Sequence, residues 1–264
     1  MGQILKVKNR IDKVFEDKTK LLNVYFTAGY PELGDTIRVA KALEKAGADL
    51  LEIGMPFSDP LADGPTIQES SQRALDNGMT LHKLFEQLAD LRNQIQIPVL
   101  LMGYINPVLQ FGLERFCKAC SEVGIDGVIL PDLPIQEYIE QYKSQFQELN
   151  LHNIFLISPT TSDERIRLID DHSGGFIYVV SSSSITGAKK SMQNTQIHYF
   201  NRVANMGLRH PRLIGFGISD NKTFESACQY AEGAIIGSAF IDQLKVDSSD
   251  QAIEKFVATI KKST

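Results

Sequence analysis

Ala48-Asp-Leu-Leu-Glu52-Ile-Gly-Met-Pro-Phe-Ser-Asp-Pro-Leu-Ala-Asp63-Gly-Pro-Thr-Ile67 is the stretch from which the rest of the chain is read. An apolar run of strand length leads straight into a carboxylate. It then breaks into a loop punctuated by Pro56, Pro60, Gly64 and Pro65. Two acids, Glu52 and Asp63, stand at the two ends of that loop. A charged side chain that closes a buried strand is costly unless it is paired or used. This loop is therefore the first place to look for chemistry.

Runs of the same kind recur on both sides of it. There are eight in all: 21–28, 48–53, 97–104, 127–131, 153–158, 175–181, 212–216 and 233–236. Helical patterns lie between them. Leu81, Leu84, Phe85, Leu88 and Leu91 share one face behind an N-cap at Thr80. Ile135, Ile139, Tyr142, Phe146 and Leu149 form another such stripe, and Ile253, Phe256, Val257 and Ile260 a third. Strand runs that are apolar throughout, separated by amphipathic helices, imply a parallel sheet covered by helices. Eight such units in this length fit a closed (β/α)8 barrel, the TIM barrel, better than an open sheet. Ile4, Val7, Ile11, Val14 and Phe15 precede the first strand and read as an extra N-terminal helix that closes the barrel bottom. No linker or low-complexity segment interrupts the chain, so residues 1–264 are expected to form one α/β barrel domain.

The bulk numbers narrow the class. The chain has 264 residues, 43% of them hydrophobic and 22% charged, values ordinary for a globular protein. A net charge of −5 argues against nucleic acid or an anionic membrane as partner. The cysteines, Cys117, Cys120 and Cys228, are odd in number and sparse, which suggests a reducing compartment. Cys117 and Cys120 have CxxC spacing inside a helical pattern with no second pair or nearby histidine, and read as packing residues. The first residues lack the apolar segment of a signal peptide, and no run approaches the ~18 apolar residues of a membrane helix. A cytoplasmic location is expected.

Active sites of (β/α)8 barrels lie at the C-terminal ends of the strands. Here those ends carry carboxylates and hydroxyls but neither lysine nor histidine. A Schiff-base aldolase needs a strand lysine, so that chemistry is excluded. The five histidines fall in helical or loop patterns and read as surface residues, and no metal-ligand spacing is present. The seventh and eighth runs end in glycine: Gly215-Phe-Gly217-Ile-Ser219 ahead of a helix near Asn221, and Gly237-Ser238. Glycines admit close backbone approach, and free N–H groups at helix N-termini bind phosphate. A phosphate site is expected there, with Thr186-Gly187 after the sixth run as a third wall. Tyr25, Tyr104, Ile129, Tyr178, Phe216 and Ile235 would line an apolar slot beside it if they point inward, and otherwise pack the core.

Taken together, these motifs resemble the tryptophan synthase alpha subunit family, from Asn23-Val-Tyr-Phe-Thr-Ala-Gly-Tyr-Pro31 to Gly237-Ser-Ala239. Pro56-Phe-Ser-Asp-Pro-Leu-Ala-Asp-Gly-Pro65 is the most specific piece. Leu101–Pro107, Leu130–Pro134 and Gly215–Ser219 support it. The resemblance implies cofactor-free retro-aldol cleavage of indole-3-glycerol phosphate to indole and glyceraldehyde 3-phosphate. By motif position it makes Glu52 and Asp63 the catalytic acids and places Tyr178 near the reacting glycerol. It assigns Gly187, Gly217, Gly237 and Ser238 to the phosphate, Tyr25, Ile129, Phe216 and Ile235 to the indole pocket, and Thr186 to a mobile loop.

The resemblance further implies an α2β2 complex with a beta subunit that alone holds pyridoxal phosphate and receives the indole through a tunnel. The docking surface would include Met55–Pro60 and Asn106-Pro107. The run Ser182-Ser183-Ser184-Ile185-Thr186-Gly187 departs from the pattern, since many members carry arginine or serine, a small residue and glycine ahead of the Thr-Gly. The alternatives are a free-standing lyase with the same residues, a catalytically silent activator of a beta subunit, and a different phosphate-binding barrel. The silent activator has no use for Glu52 and Asp63, and the other barrel does not explain the Pro56–Pro65 stretch.

Overall fold

The structure, a computed structural model, describes residues 8–60, 63–180, 194–215 and 217–262. Nine parallel strands follow one another around a barrel: β1 (Leu21–Thr27), β2 (Leu50–Gly54), β3 (Val99–Met102), β4 (Gly127–Ile129), β5 (His152–Ile154), β6 (Leu156–Ile157), β7 (Ile177–Val180), β8 (Arg212–Gly215) and β9 (Gly233–Ile236). The order in the sheet is β5-β4-β3-β2-β1-β9-β8-β7-β6. β5 and β6 are the two halves of one expected run, 153–158, broken at Phe155. The first half pairs with β4 and the second with β7. The Phe155 carbonyl still accepts from the Tyr178 N–H at 3.0 Å, which carries the ladder across the break. The eightfold barrel stands, with its fifth strand split.

Alternation along the strands separates the apolar residues into two clusters. Leu21, Leu50, Leu100, Ile129, Ile154, Tyr178, Leu213 and Ile235 pack together inside the barrel. Their neighbours Val24, Leu51, Val99, Val128, Ile177, Ile214 and Ala234 belong to the larger cluster under the helices. A closed barrel requires this division, because successive side chains point to opposite faces. Ile11 and Val14, from the helix Arg10–Asp17, join the inner cluster and close the bottom of the barrel. Ile4 and Val7 of the expected N-terminal stripe lie outside the described residues.

The helices largely follow the sequence signals. Thr80 accepts from the Lys83 N–H and caps Leu81–Leu88. The Ile135–Leu149 stripe is interrupted by one turn of π-helix, Tyr138–Tyr142, which buries Tyr138 rather than Ile139. Cys117 and Cys120 are buried in the outer cluster, and burial pushes the Cys117 thiol up to about 12, which fits packing rather than reactivity. His152 corrects the reading of the histidines as surface residues: it opens β5, is half-buried, and its Nε2 lies 2.9 Å from Asp12 Oδ1 on the bottom helix.

Acids at the bottom of the barrel are paired. Asp49 meets Lys18 and Lys261 and accepts from the Leu22 N–H. Asp126 meets Arg92 and Arg10 and accepts from the Val99 N–H. These ion pairs tie strand starts to neighbouring elements, the stability role expected of that face. No described helix is long and apolar enough to cross a membrane.

Candidate active site

Glu52 sits on β2 on the same face as Leu50, which packs inside the barrel, with Tyr25 of β1 as its register partner. It is 1% exposed. Asn23 Nδ2 donates to Glu52 Oε2 at 2.9 Å. Unlike the acids at the bottom, neither Glu52 nor Asp63 has a salt-bridge partner among the described residues. Burial therefore dominates, and it pushes the Glu52 carboxyl up to about 8; the Asn23 bond opposes this and the nearby Asp63 charge adds to it. Glu52 holds its proton at neutral pH. Asp63, at the far end of the loop, is pushed up to about 6 by burial, against the Tyr104 hydroxyl that donates to its Oδ2 at 3.2 Å. At pH 7 the two acids are in different forms, one protonated and one ionised. Such divergence is how one site supplies an acid and an anion together.

Above the strand ends a small cleft, with room for about one water in this closed arrangement, is lined by Tyr25, Met55, Phe57, Asp63, Met102 and Tyr104, among others. Phe57 and Tyr104 stack with ring centroids 5.4 Å apart, which ties the loop after β2 to the pocket wall. Tyr104 is not a strand residue as its run suggested: it precedes the helix Ile105–Phe111 at the N-cap position, and its hydroxyl donates to Asp63. Tyr25 lies over Gly54, and Tyr178 over Gly215. A methyl group at either glycine would collide with the tyrosine, so close packing requires glycine there. Burial raises the Tyr178 hydroxyl well above its ordinary value, with Glu52 and Asp63 adding to the effect, so it stays neutral.

The other expected residues divide. Ile129 and Ile235 are buried in the inner cluster with Tyr178 and do not line the described pocket. Gly217 follows β8 with φ +78°, a left-handed conformation suited to glycine. Gly237 precedes the helix Ser238–Val246, whose first turn has no side-chain cap, and its Cα side faces Tyr25. The helix that follows Gly217 differs from expectation. Asp220 accepts from the Thr223 N–H and caps Asn221–Ala227 itself, so that end already carries a carboxylate. Thr186, Gly187 and Phe216 lie outside the described residues, as do Ser182, Ser183 and Ser184. The sequence reading gave no site role to Asn23 or Met102 and assigned Met55 only to the docking loop. The asparagine in an otherwise apolar run, Leu21-Leu-Asn-Val24, was the available signal.

A family model described as tryptophan synthase alpha chain matches residues 11–264. The chain belongs to that family. It is 55% identical to the tryptophan synthase alpha chain of Flavobacterium psychrophilum over 252 residues, which cover 96% of this chain and 99% of that one. It is 48% identical to that of Bacteroides fragilis, over 97% of this chain and 98% of the relative. Among solved structures, tryptophan synthase subunit alpha from Legionella pneumophila superposes with a TM-score of 0.86 at 32% identity, covering 96% of this chain and 97% of that one. A tryptophan synthase structure from Mycobacterium tuberculosis gives 0.86 at 28% identity, with 96% and 97% covered.

Proposed function

We propose that this chain cleaves indole-3-glycerol phosphate with Glu52 as proton donor and acceptor and Asp63 as the charge partner of the indole ring. The observation that carries the assignment is the contrast between ends of the barrel: Asp49 and Asp126 at the bottom are salt-bridged, whereas the buried Glu52 and half-buried Asp63 at the top have no cation among the described residues. Cleavage needs a proton on indole C3. The neutral Glu52 carboxyl donates it, and the ring becomes an indolenine with positive charge at nitrogen. Asp63 accepts a hydrogen bond from the ring N–H and stabilises that charge. The Glu52 carboxylate then takes the proton from the glycerol hydroxyl next to the breaking bond. The C–C bond electrons return to the ring, the hydroxyl carbon becomes the aldehyde of glyceraldehyde 3-phosphate, and indole leaves. Glu52 ends the cycle protonated, as it began. The ring is the electron sink, so no lysine, metal or cofactor is needed.

Tyr178 would bond the glycerol moiety; its neutral hydroxyl, influenced by both acids, supports that role. Gly217, Gly237 and Ser238 would hold the phosphate, with the uncapped turn at Ser238 supplying N–H groups and Gly187 completing the site. Tyr25 and Tyr104 would flank the indole; motif position alone assigns Ile129, Phe216 and Ile235 to the indole pocket and Thr186 to a mobile loop, with Phe216 and Thr186 outside the described residues. Residues 1–264 are read as one barrel domain in the cytoplasm. The chain works in an α2β2 complex whose pyridoxal phosphate belongs to the beta subunit. The loop Met55–Pro60 and the segment Asn106-Pro107 form the docking surface. Ser58, Asp59 and Asn106 are exposed there, and Leu109 beside them leaves 49% of a large apolar side chain in solvent.

Release of indole from indole-3-glycerol phosphate by the purified chain tests the function. Slow release that rises steeply when a cognate beta subunit is added is expected. Fast release without the partner would make the chain a free-standing lyase, and no release in either case would sink the assignment.

The two acids also set a pH profile. Asp63 must be ionised, which holds above about 6, and Glu52 must carry its proton, which holds below about 8. A plot of kcat/KM against pH is expected to be a bell with limbs near those values. A profile flat from pH 5 to 9 would contradict the assigned forms.

A further inference from the structure

We infer that Asn23 is a positioning residue for Glu52, with an amide that serves the carboxyl in both of its protonation states. This rests on the reading of Glu52 as the proton carrier. In that cycle Glu52 is alternately an acid, which needs an acceptor for its O–H, and a carboxylate, which needs a donor. An asparagine amide offers both, at the two ends of one rotatable bond. That terminal torsion is broad and roughly two-fold, so the exchange is a half-turn.

The surroundings of Asn23 permit the half-turn. Asn23 and Glu52 are both buried, and the bond from Nδ2 to Oε2 is 2.9 Å long. Asn23 Oδ1 is buried and has no hydrogen-bond partner. Rotation therefore breaks only the bond to Glu52 and remakes it with the opposite donor, Oε2–H to Oδ1. Asn9 and Asn77, by contrast, are locked. Asn9 Nδ2 donates to the carbonyls of Asp126 and Asn150 while its Oδ1 accepts from the Ile11 N–H. Asn77 Nδ2 donates to two carbonyls, those of Gly29 and Pro31. A buried orphan oxygen costs stability, and here the cost has a use.

Among the described residues, the charged and titratable groups facing Glu52 are Asp63 from the loop after β2, Tyr25 from β1 and Tyr178 from β7. Asp63 opposes ionisation of Glu52, and the tyrosines stay neutral. The Asn23 amide is the group that favours the carboxylate. Removing it moves the Glu52 limb of the kcat/KM profile to higher pH, whether Glu52 starts as acid or as base.

Asn23→Val and Asn23→Thr fill similar volumes and differ in one hydroxyl, which can both donate and accept. Asn23→Val is expected to move the limb near pH 8 upward by about one unit and to lower kcat by about tenfold with KM unchanged. Asn23→Thr is expected to keep the limb close to its native place. If the valine variant fails to fold, Asn23→Leu, nearer to asparagine in shape, carries the same comparison. An unmoved limb and unchanged kcat in the folded apolar variant would overturn the inference. Glu52→Gln measured alongside separates the two levels: with Glu52→Gln inactive, an unmoved limb removes Asn23 alone, and an active Glu52→Gln removes the Glu52 reading and this inference together.

Discussion

Glu52→Gln is expected to lower kcat by about three orders of magnitude while leaving the fold intact. General acid–base catalysis contributes roughly 10²–10⁴-fold, and here one group handles two proton transfers, so the loss should fall in the upper part of that range. Glutamine has the shape of the neutral carboxyl that Glu52 presents at pH 7, and it can still bond the Asn23 amide. The fold is therefore not at risk. Stability gives a second readout with a definite sign. The native state holds a proton on Glu52 up to about 8, while the unfolded chain releases it near the ordinary value of 4.5. The unfolded state binds fewer protons between those values, so wild-type stability falls as pH rises through that window. The glutamine variant lacks this fall. Its Tm should overtake that of the wild type as pH increases from 5 to 8. Indole release within tenfold of wild type from the folded variant would remove Glu52 from the mechanism.

Asp63→Asn is expected to lower kcat/KM by about 10²–10³-fold, the usual cost of removing one preorganised electrostatic partner of a developing charge. The Tyr104 hydroxyl, now donating to Asp63 Oδ2, can donate equally to the asparagine carbonyl, so the loop should keep its place. The variant also alters the shape of the profile. The acid limb near 6 belongs to Asp63 and should vanish from the residual activity, whereas the limb near 8 should remain but move down, because the Asp63 charge that raises Glu52 is gone. An acid limb that persists unchanged in Asp63→Asn would assign it to another group and withdraw the charge-partner role.

Much of this site was legible before any coordinates. Glu52 and Asp63 stood out because a carboxylate at the end of a buried strand violates a strong rule, and violations of that kind collect at functional sites. The barrel was legible because each apolar run is short, complete and followed by a helical stripe. What escaped was whatever depended on partners far away in the chain. Phe155 lies in an unbroken apolar run, and nothing local to it announces that the first half pairs with β4 and the second with β7. Tyr104 looked like the end of a strand and is a helix N-cap, since its run is apolar in either case. His152 looked like a loop residue until Asp12, 140 positions earlier, appeared beside it.

Local chemistry thus determined the element order, the strand ends that carry acids and the residues that match the family. Those properties are written in spacing and residue type, which folding does not alter. The tertiary structure alone decided the protonation of the acids. Glu52 and Asp49 are both carboxylates buried at the ends of strands, one at the top and one at the bottom. Asp49 meets two lysines, Lys18 and Lys261, brought from opposite ends of the chain. Among the described residues Glu52 meets no cation: the amide of Asn23 donates to it, and Asp63 and the neutral Tyr25 and Tyr178 face it. The difference between a structural ion pair and a proton carrier is set by which charges the fold brings within a few ångströms of a buried carboxyl, and that distance exists only once the barrel has closed.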